Sequence, residues 1–131
     1  MKTTDLQIGD WYTNSDGDIC KVVKNLGNIV WGQGDDVSDS TDDPNPIPLT
    51  AEILEKNGLE KTLIDEEYCY SLVTMDYVIV IRTNRDGYWK YDSVREVGRG
   101  VVIQRKFDYV HQLQQALRLC GLNDLADNFK V

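Results

Sequence analysis

Five arginines, Arg82, Arg85, Arg95, Arg99 and Arg105, crowd into one stretch of an otherwise acidic chain. From residue 82 to 106 seven basic residues stand against Asp86, Asp92 and Glu96, a local net of +4, while the whole chain carries −8. Planar guanidinium forks suit the paired oxygens of carboxylate and phosphate better than a lysine's point charge does. In the same stretch Trp89 and Tyr91 alternate onto one strand face, with Tyr88 and Lys90 on the other, so a planar ring could stack beside the forks. Arg82, Arg85, Trp89, Tyr91, Arg95, Arg99 and Arg105 are therefore the candidate ligand site, for a small anion such as a nucleotide. The competing reading is a surface strand with ordinary aromatic packing. Strand alternation would scatter its arginines, and Asp92 and Glu96 would pair with some of them at little gain in energy.

Catalytic and metal chemistry has less to work with. His111 is the only histidine. It sits in the first turn of a helical stretch beside Gln112 and Gln114, with no recognisable Ser or Cys nucleophile motif. A spatial triad needs partners that chain position does not reveal. The expectation is a structural histidine bonded to nearby backbone or an acidic group, and no catalytic residue is assigned. One histidine cannot build a histidine-rich zinc site, and Cys20, Cys69 and Cys120 lack Cys-x-x-Cys spacing. Asp35, Asp36, Asp39, Asp42 and Asp43 offer oxygens, but they do not follow the calcium-loop pattern, and the glycines lie outside the run. Asp16-Gly17-Asp18, Gly32-Gln33-Gly34 and Gly98-Arg99-Gly100 read as turns, since they lack the further glycines and the lysine of a phosphate-cradling loop. No metal and no cofactor is expected.

Length and charge bound the rest. At 131 residues, 41% hydrophobic and 27% charged, the chain is one domain with enough apolar material for a core. Residues 1–65 hold five lysines and thirteen acids, while residues 66–131 hold nine basic and nine acidic residues. A pI near 4.5 argues against sequence-independent binding to DNA or to anionic lipid. No run approaches a membrane span, and the opening residues lead into no apolar signal region. The three widely spaced cysteines read as reduced, mostly buried thiols, so the expected location is cytoplasmic.

The elements that must position these residues follow from local pattern. Trp11–Thr13, Ile19–Val23 and Asn28–Trp31 are short strands between turns, resembling the opening of SH3-like barrels. Residues 1–34 form a small β subdomain on this reading, and residues 35–46, with five aspartates and two prolines, form an exposed acidic loop. Residues 47–131 form an α-β-β-β-β-α unit. Its first helix starts at Thr50 as N-cap, with Leu49 stapled to Leu54 and Gly58 as the stop. Four antiparallel strands follow, Tyr68–Val73, Tyr77–Arg82, Tyr88–Val94 and Val101–Phe107, the middle pair joined at Asn84–Gly87. The second helix runs Tyr109–Cys120 from an Asp108 cap. Tyr109, Val110, Leu113, Ala116, Leu117 and Cys120 line its core face, and His111, Gln114, Gln115 and Arg118 line the polar one. A last turn spans Asn123–Phe129. The fold class is α+β.

Two phrases are recognisable: IPLTAEILEKNGLEK, from Ile47 to Lys61, and YVHQLQQALRLCGL, from Tyr109 to Leu122. With Ile8-Gly9-Asp10 near the start, they resemble an uncharacterised family of small proteins from Bacteroides-type gut bacteria and their phages. Ala51 departs from the family's helix start, and residues 62–106 are not distinctive. The resemblance implies a mobile-element or phage origin and a cytoplasmic setting, and it supplies no catalytic residues. The leading expectation is a non-enzymatic binding module acting on a host protein or a small anionic ligand. The alternative is an inhibitor of bacterial immune signalling that sequesters a nucleotide second messenger. A small hydrolase around His111 is the least supported. Self-association is left open.

Overall fold

The structure, a computed structural model, describes residues 1–64, 67–82 and 92–131. It is an α+β protein, with two antiparallel sheets and three α-helices among the described residues. After a 3-10 turn at Thr3–Asp5 come β1 (Trp11–Thr13), β2 (Ile19–Asn25), β3 (Val30–Gln33) and β4 (Ser38–Thr41), paired in chain order. Helix α1 (Ala51–Lys56) leads into β5 (Glu60–Ile64), β6 (Glu67–Val73), β7 (Tyr77–Arg82), β8 (Asp92–Glu96) and β9 (Gly100–Arg105), again paired in order. Helices α2 (Val110–Leu119) and α3 (Asn123–Asp127) close the fold.

Local chemistry explains most of these boundaries. Thr50 Oγ1 accepts the Ile53 N–H at 3.3 Å, and Gly58 adopts φ +83 as the chain leaves α1. At the start of α2 the cap is different from the one expected. Asp108 does not cap it; Gln112 Oε1 reaches back and accepts the Asp108 and Tyr109 N–H groups at 2.9 and 3.2 Å. A carboxamide one turn into the helix satisfies the same orphan donors as an N-cap side chain would.

Two further expectations are corrected. The acidic 35–46 segment is not an irregular loop throughout: Ser38–Thr41 pairs with β3, Val30 opposite Thr41, and Asn45 bridges Thr13. Its pairing runs through backbone groups, so the polar side chains carried no strand signal; Thr41 is nevertheless buried. Among the described residues the meander has five strands, because Glu60–Ile64 adds to the edge of β6. Tyr88–Tyr91 and the Asn84–Gly87 turn lie outside the described residues, and β8 begins at Asp92.

Each sheet has its own apolar cluster. Leu6, Tyr12, Cys20, Val22 and Val30 fill the smaller one. The larger collects Tyr70, Ile79, Ile81, Val94, Phe107, Val110, Leu113 and Leu117, among others, beneath α1, α2 and the five-stranded sheet. All three cysteines are free and buried, and burial pushes the Cys20 and Cys120 thiols up. Among the described residues no helix is long and apolar enough to cross a membrane.

Helix α2 joins the two clusters, and here its polar face departs from expectation. His111 is 6% exposed and Gln114 fully buried, so this face meets protein rather than solvent. Gln114 Nε2 donates to Gly9 O and Ala126 O at 2.9 and 3.1 Å, and its Oε1 accepts the Trp11 N–H at 3.0 Å. Asp10, fully buried, accepts from Arg118 Nη1 at 2.5 Å, Gln115 Nε2 at 2.7 Å and the Gln7 N–H at 2.8 Å. Arg118 also reaches Asp127 at 3.3 Å. Gly9, at φ +91, packs so close that a Cβ there would meet the Arg118 guanidinium at 2.8 Å. The small sheet is thus attached to the helix through a polar network rather than through apolar contact alone.

Candidate functional site

The described candidate arginines do not converge. Register puts Val78 opposite Arg95, and Val78, Val80 and Arg82 alternate onto one face, so Arg82 and Arg95 share that face. They sit four positions apart along β7, roughly 13 Å. Arg99 is at the β8–β9 turn beside Glu96, 3.7 Å away, with its side chain 79% exposed. Arg105 pairs with Asp92 across β8 and β9, on the opposite face from Arg82. Arg85, Trp89 and Tyr91 lie outside the described residues. Asp92, buried, accepts the Arg82 and Phe107 backbone N–H groups at 2.7 and 2.9 Å, closing the end of the sheet where Arg105 emerges.

What Arg105 does join is the start of α2. A cleft of about 570 Å³ opens between the 3-10 turn, the end of β9 and the first turn of α2; Arg105, Tyr109, His111, Gln112, Gln115 and Asp5 all line it. That volume is in the range of small-molecule sites. The Arg105 guanidinium lies 5.7 Å from the Phe107 ring centre, a cation–π contact that holds the head of the side chain near the core. The Tyr109 and His111 rings are nearly parallel, 14° apart with centres separated by 6.0 Å. Gln112 uses its oxygen on the helix start, which turns its NH2 group away from the backbone it caps. Asp5 is the acid of this set, and its carboxylate accepts the Lys2 N–H at 2.9 Å.

His111 is the unusual member. Its Nδ1 is buried and has no hydrogen-bond partner among the described residues. The expected bond to backbone or an acid is absent there. A buried polar atom left unpaired costs about 1–3 kcal/mol, so one on a residue that lines a cleft is a feature a ligand could relieve. Burial lowers the His111 pKa below its ordinary value; the Asp10 and Asp5 carboxylates pull the other way, and Arg105 adds to the lowering. Asp10 is already engaged by Arg118 and Gln115, so the imidazole has no carboxylate of its own. It is held neutral, with one nitrogen free to donate or accept.

A second hollow of about 620 Å³ lies over Trp11, lined also by Lys21, Lys56 and Lys130. Lys21 sits 5.5 Å over the Trp11 ring and donates to Asp127 O, and Trp11 Nε1 donates to Phe129 O at 2.6 Å. The Trp11 indole N–H and the Lys21 ammonium in it are thus tied to the fold. Among the described residues no group of three or more His, Cys, Asp or Glu is placed to hold a metal ion.

Sequence reasoning chose Arg105 but not its neighbours in the cleft. Tyr109, Gln112 and Gln115 look like any helix start, and the partner segment, Thr3–Asp5, is about a hundred residues away in sequence. No protein-family model matches the chain, and neither the curated proteins nor the solved structures contain a match.

Proposed function

We infer that this chain is a non-enzymatic binding module for a small anionic ligand, held in the cleft at the start of α2. The observation that carries the reading is that His111, whose buried Nδ1 has no partner among the described residues, lines a small-molecule-sized cleft together with Arg105. Arg105 supplies a planar fork for phosphate or carboxylate, and the Gln112 NH2 adds neutral donors. The first turn of α2 contributes its positive dipole end. The polar network behind α2 keeps these groups on a rigid frame, which lowers the ordering cost of binding. The resemblance of the two helix phrases to proteins of gut bacteria and phages supports a binder that works inside a host cell, where a nucleotide messenger is one such anion.

Calorimetry with phosphate- and carboxylate-bearing molecules of nucleotide size tests this. At least one is expected to bind, with affinity that falls about tenfold or more in Arg105→Ala and weakens with added salt. Lys56→Ala and Lys130→Ala, at the other hollow, should leave it unchanged. Binding that ignores Arg105→Ala, or no binding by any anion, would overturn the reading and favour a protein partner.

A further inference from the structure

We propose that the ligand of the α2 cleft is a planar heteroaromatic anion, of the nucleoside monophosphate class, with its ring against Tyr109 and its ring edge read by His111. This rests on the cleft being the ligand site, and it goes further in naming what fills it.

Three observations select the class. The cleft, at about 570 Å³, is far larger than a lone phosphate or a two-carbon acid needs, so the anionic group can be only part of the ligand. Tyr109 lines it, half-buried, and already stacks on one side against His111. A planar ring entering the cleft can extend that stack, and stacking on an aromatic side chain suits any base because each has a π-face. The His111 Nδ1 is unpaired among the described residues and closed to solvent in the free protein, so a ligand pairs with it only as the imidazole turns toward the cleft, and the partner it then needs is a neutral one. A neutral imidazole is a poor second site for a phosphate that Arg105 can take, but it matches the ring nitrogens, carbonyls and amino groups along a base edge.

The division of labour follows. Arg105 and the Gln112 NH2 hold the phosphate, Tyr109 holds the plane of the ring, and His111 Nδ1 chooses among ring edges. A buried atom that is unpaired until the ligand arrives also discriminates strongly. A ligand lacking the matching group leaves the penalty in place, whereas one that supplies it removes the penalty.

The test compares adenosine 5′-monophosphate, guanosine 5′-monophosphate, ribose 5-phosphate and a non-aromatic tricarboxylate, citrate, by calorimetry on the full chain. One of the two nucleotides is expected to bind at least tenfold more tightly than ribose 5-phosphate. Tyr109→Leu should remove most of that advantage while leaving ribose 5-phosphate unchanged. His111→Phe keeps a buried ring and removes the unpaired atom, so the protein should fold at least as well; it should narrow the difference between the two nucleotides. Equal affinity for ribose 5-phosphate and both nucleotides, or binding of citrate alone, would overturn the heteroaromatic assignment while leaving an anion site in the cleft. An unchanged nucleotide preference in both variants would also overturn it. Failure of every anion would remove the cleft reading itself.

Discussion

Arg118→Ala is expected to lower folding stability by about 3–5 kcal/mol, the cost of stranding a buried charge. Asp10 is fully buried, and Arg118, with a side chain 16% exposed, is its cationic partner at 2.5 Å. Removing the guanidinium leaves Gln115 and the Gln7 N–H to support the carboxylate, both neutral donors. The loss is local in origin but not in effect, because the same network attaches the small sheet to α2. Urea unfolding should therefore show a lower midpoint. If the small sheet detaches first, the single transition should split into two, and the usual two-state treatment would no longer apply. Asp10→Leu combined with Arg118→Met removes both charges and should recover much of the loss, since apolar replacement of a buried pair is often close to neutral. A loss under 1 kcal/mol for Arg118→Ala would mean that the pair behaves as an exposed one.

Leu117→Ala is expected to cost about 2–5 kcal/mol. Leu117 is 1% exposed in the larger cluster, with Leu113 and Val110 on the same side of α2 and the sheet below. The size of the loss within that range depends on how far the neighbours relax into the vacated space. Leu119, on the same helix but 81% exposed, is the internal control: its replacement by Ala should change stability by no more than about 0.5 kcal/mol. Equal effects at the two positions would contradict the orientation of α2.

That orientation was half legible in the sequence. The apolar stripe Val110, Leu113, Ala116, Leu117, Cys120 repeats at helical spacing, and burial follows it. The opposite stripe, His111, Gln114, Gln115 and Arg118, has the composition of a solvated face and yet packs on the small sheet. Periodicity detects apolar burial only. A polar side chain is buried when specific partners satisfy it, and those partners, Gly9, Asp10 and Trp11, lie about a hundred residues earlier. The same blindness hid β4, whose Ser-Asp-Ser-Thr is held by backbone pairing. Thr50 and Gly58 were readable because capping and left-handed turns act within a few residues.

The candidate site divides along the same line. Clustering of arginines in sequence reported a charge, not a place, since strand alternation and the turn at Arg99 send the described ones apart. Arg105 alone among the described candidates lines the α2 cleft. The feature that marks that cleft, an unpaired nitrogen on a buried histidine, exists only once the 3-10 turn, β9 and α2 have been brought together.

Because His111 is the only histidine, its imidazole resonances in an NMR titration are unambiguous, and they test the central claim most directly. Burial favours the neutral ring in the folded state, so the midpoint should lie below the ordinary 6.5, and this contribution to stability should be lost as pH falls through it. A bound anion beside the ring favours the protonated form. Saturation with the tightest-binding anion of the calorimetric panel should therefore raise the midpoint, and Arg105→Ala should remove that response. A free-protein midpoint at or above 6.5 that does not move when an anion is bound would contradict an anion site at the start of α2.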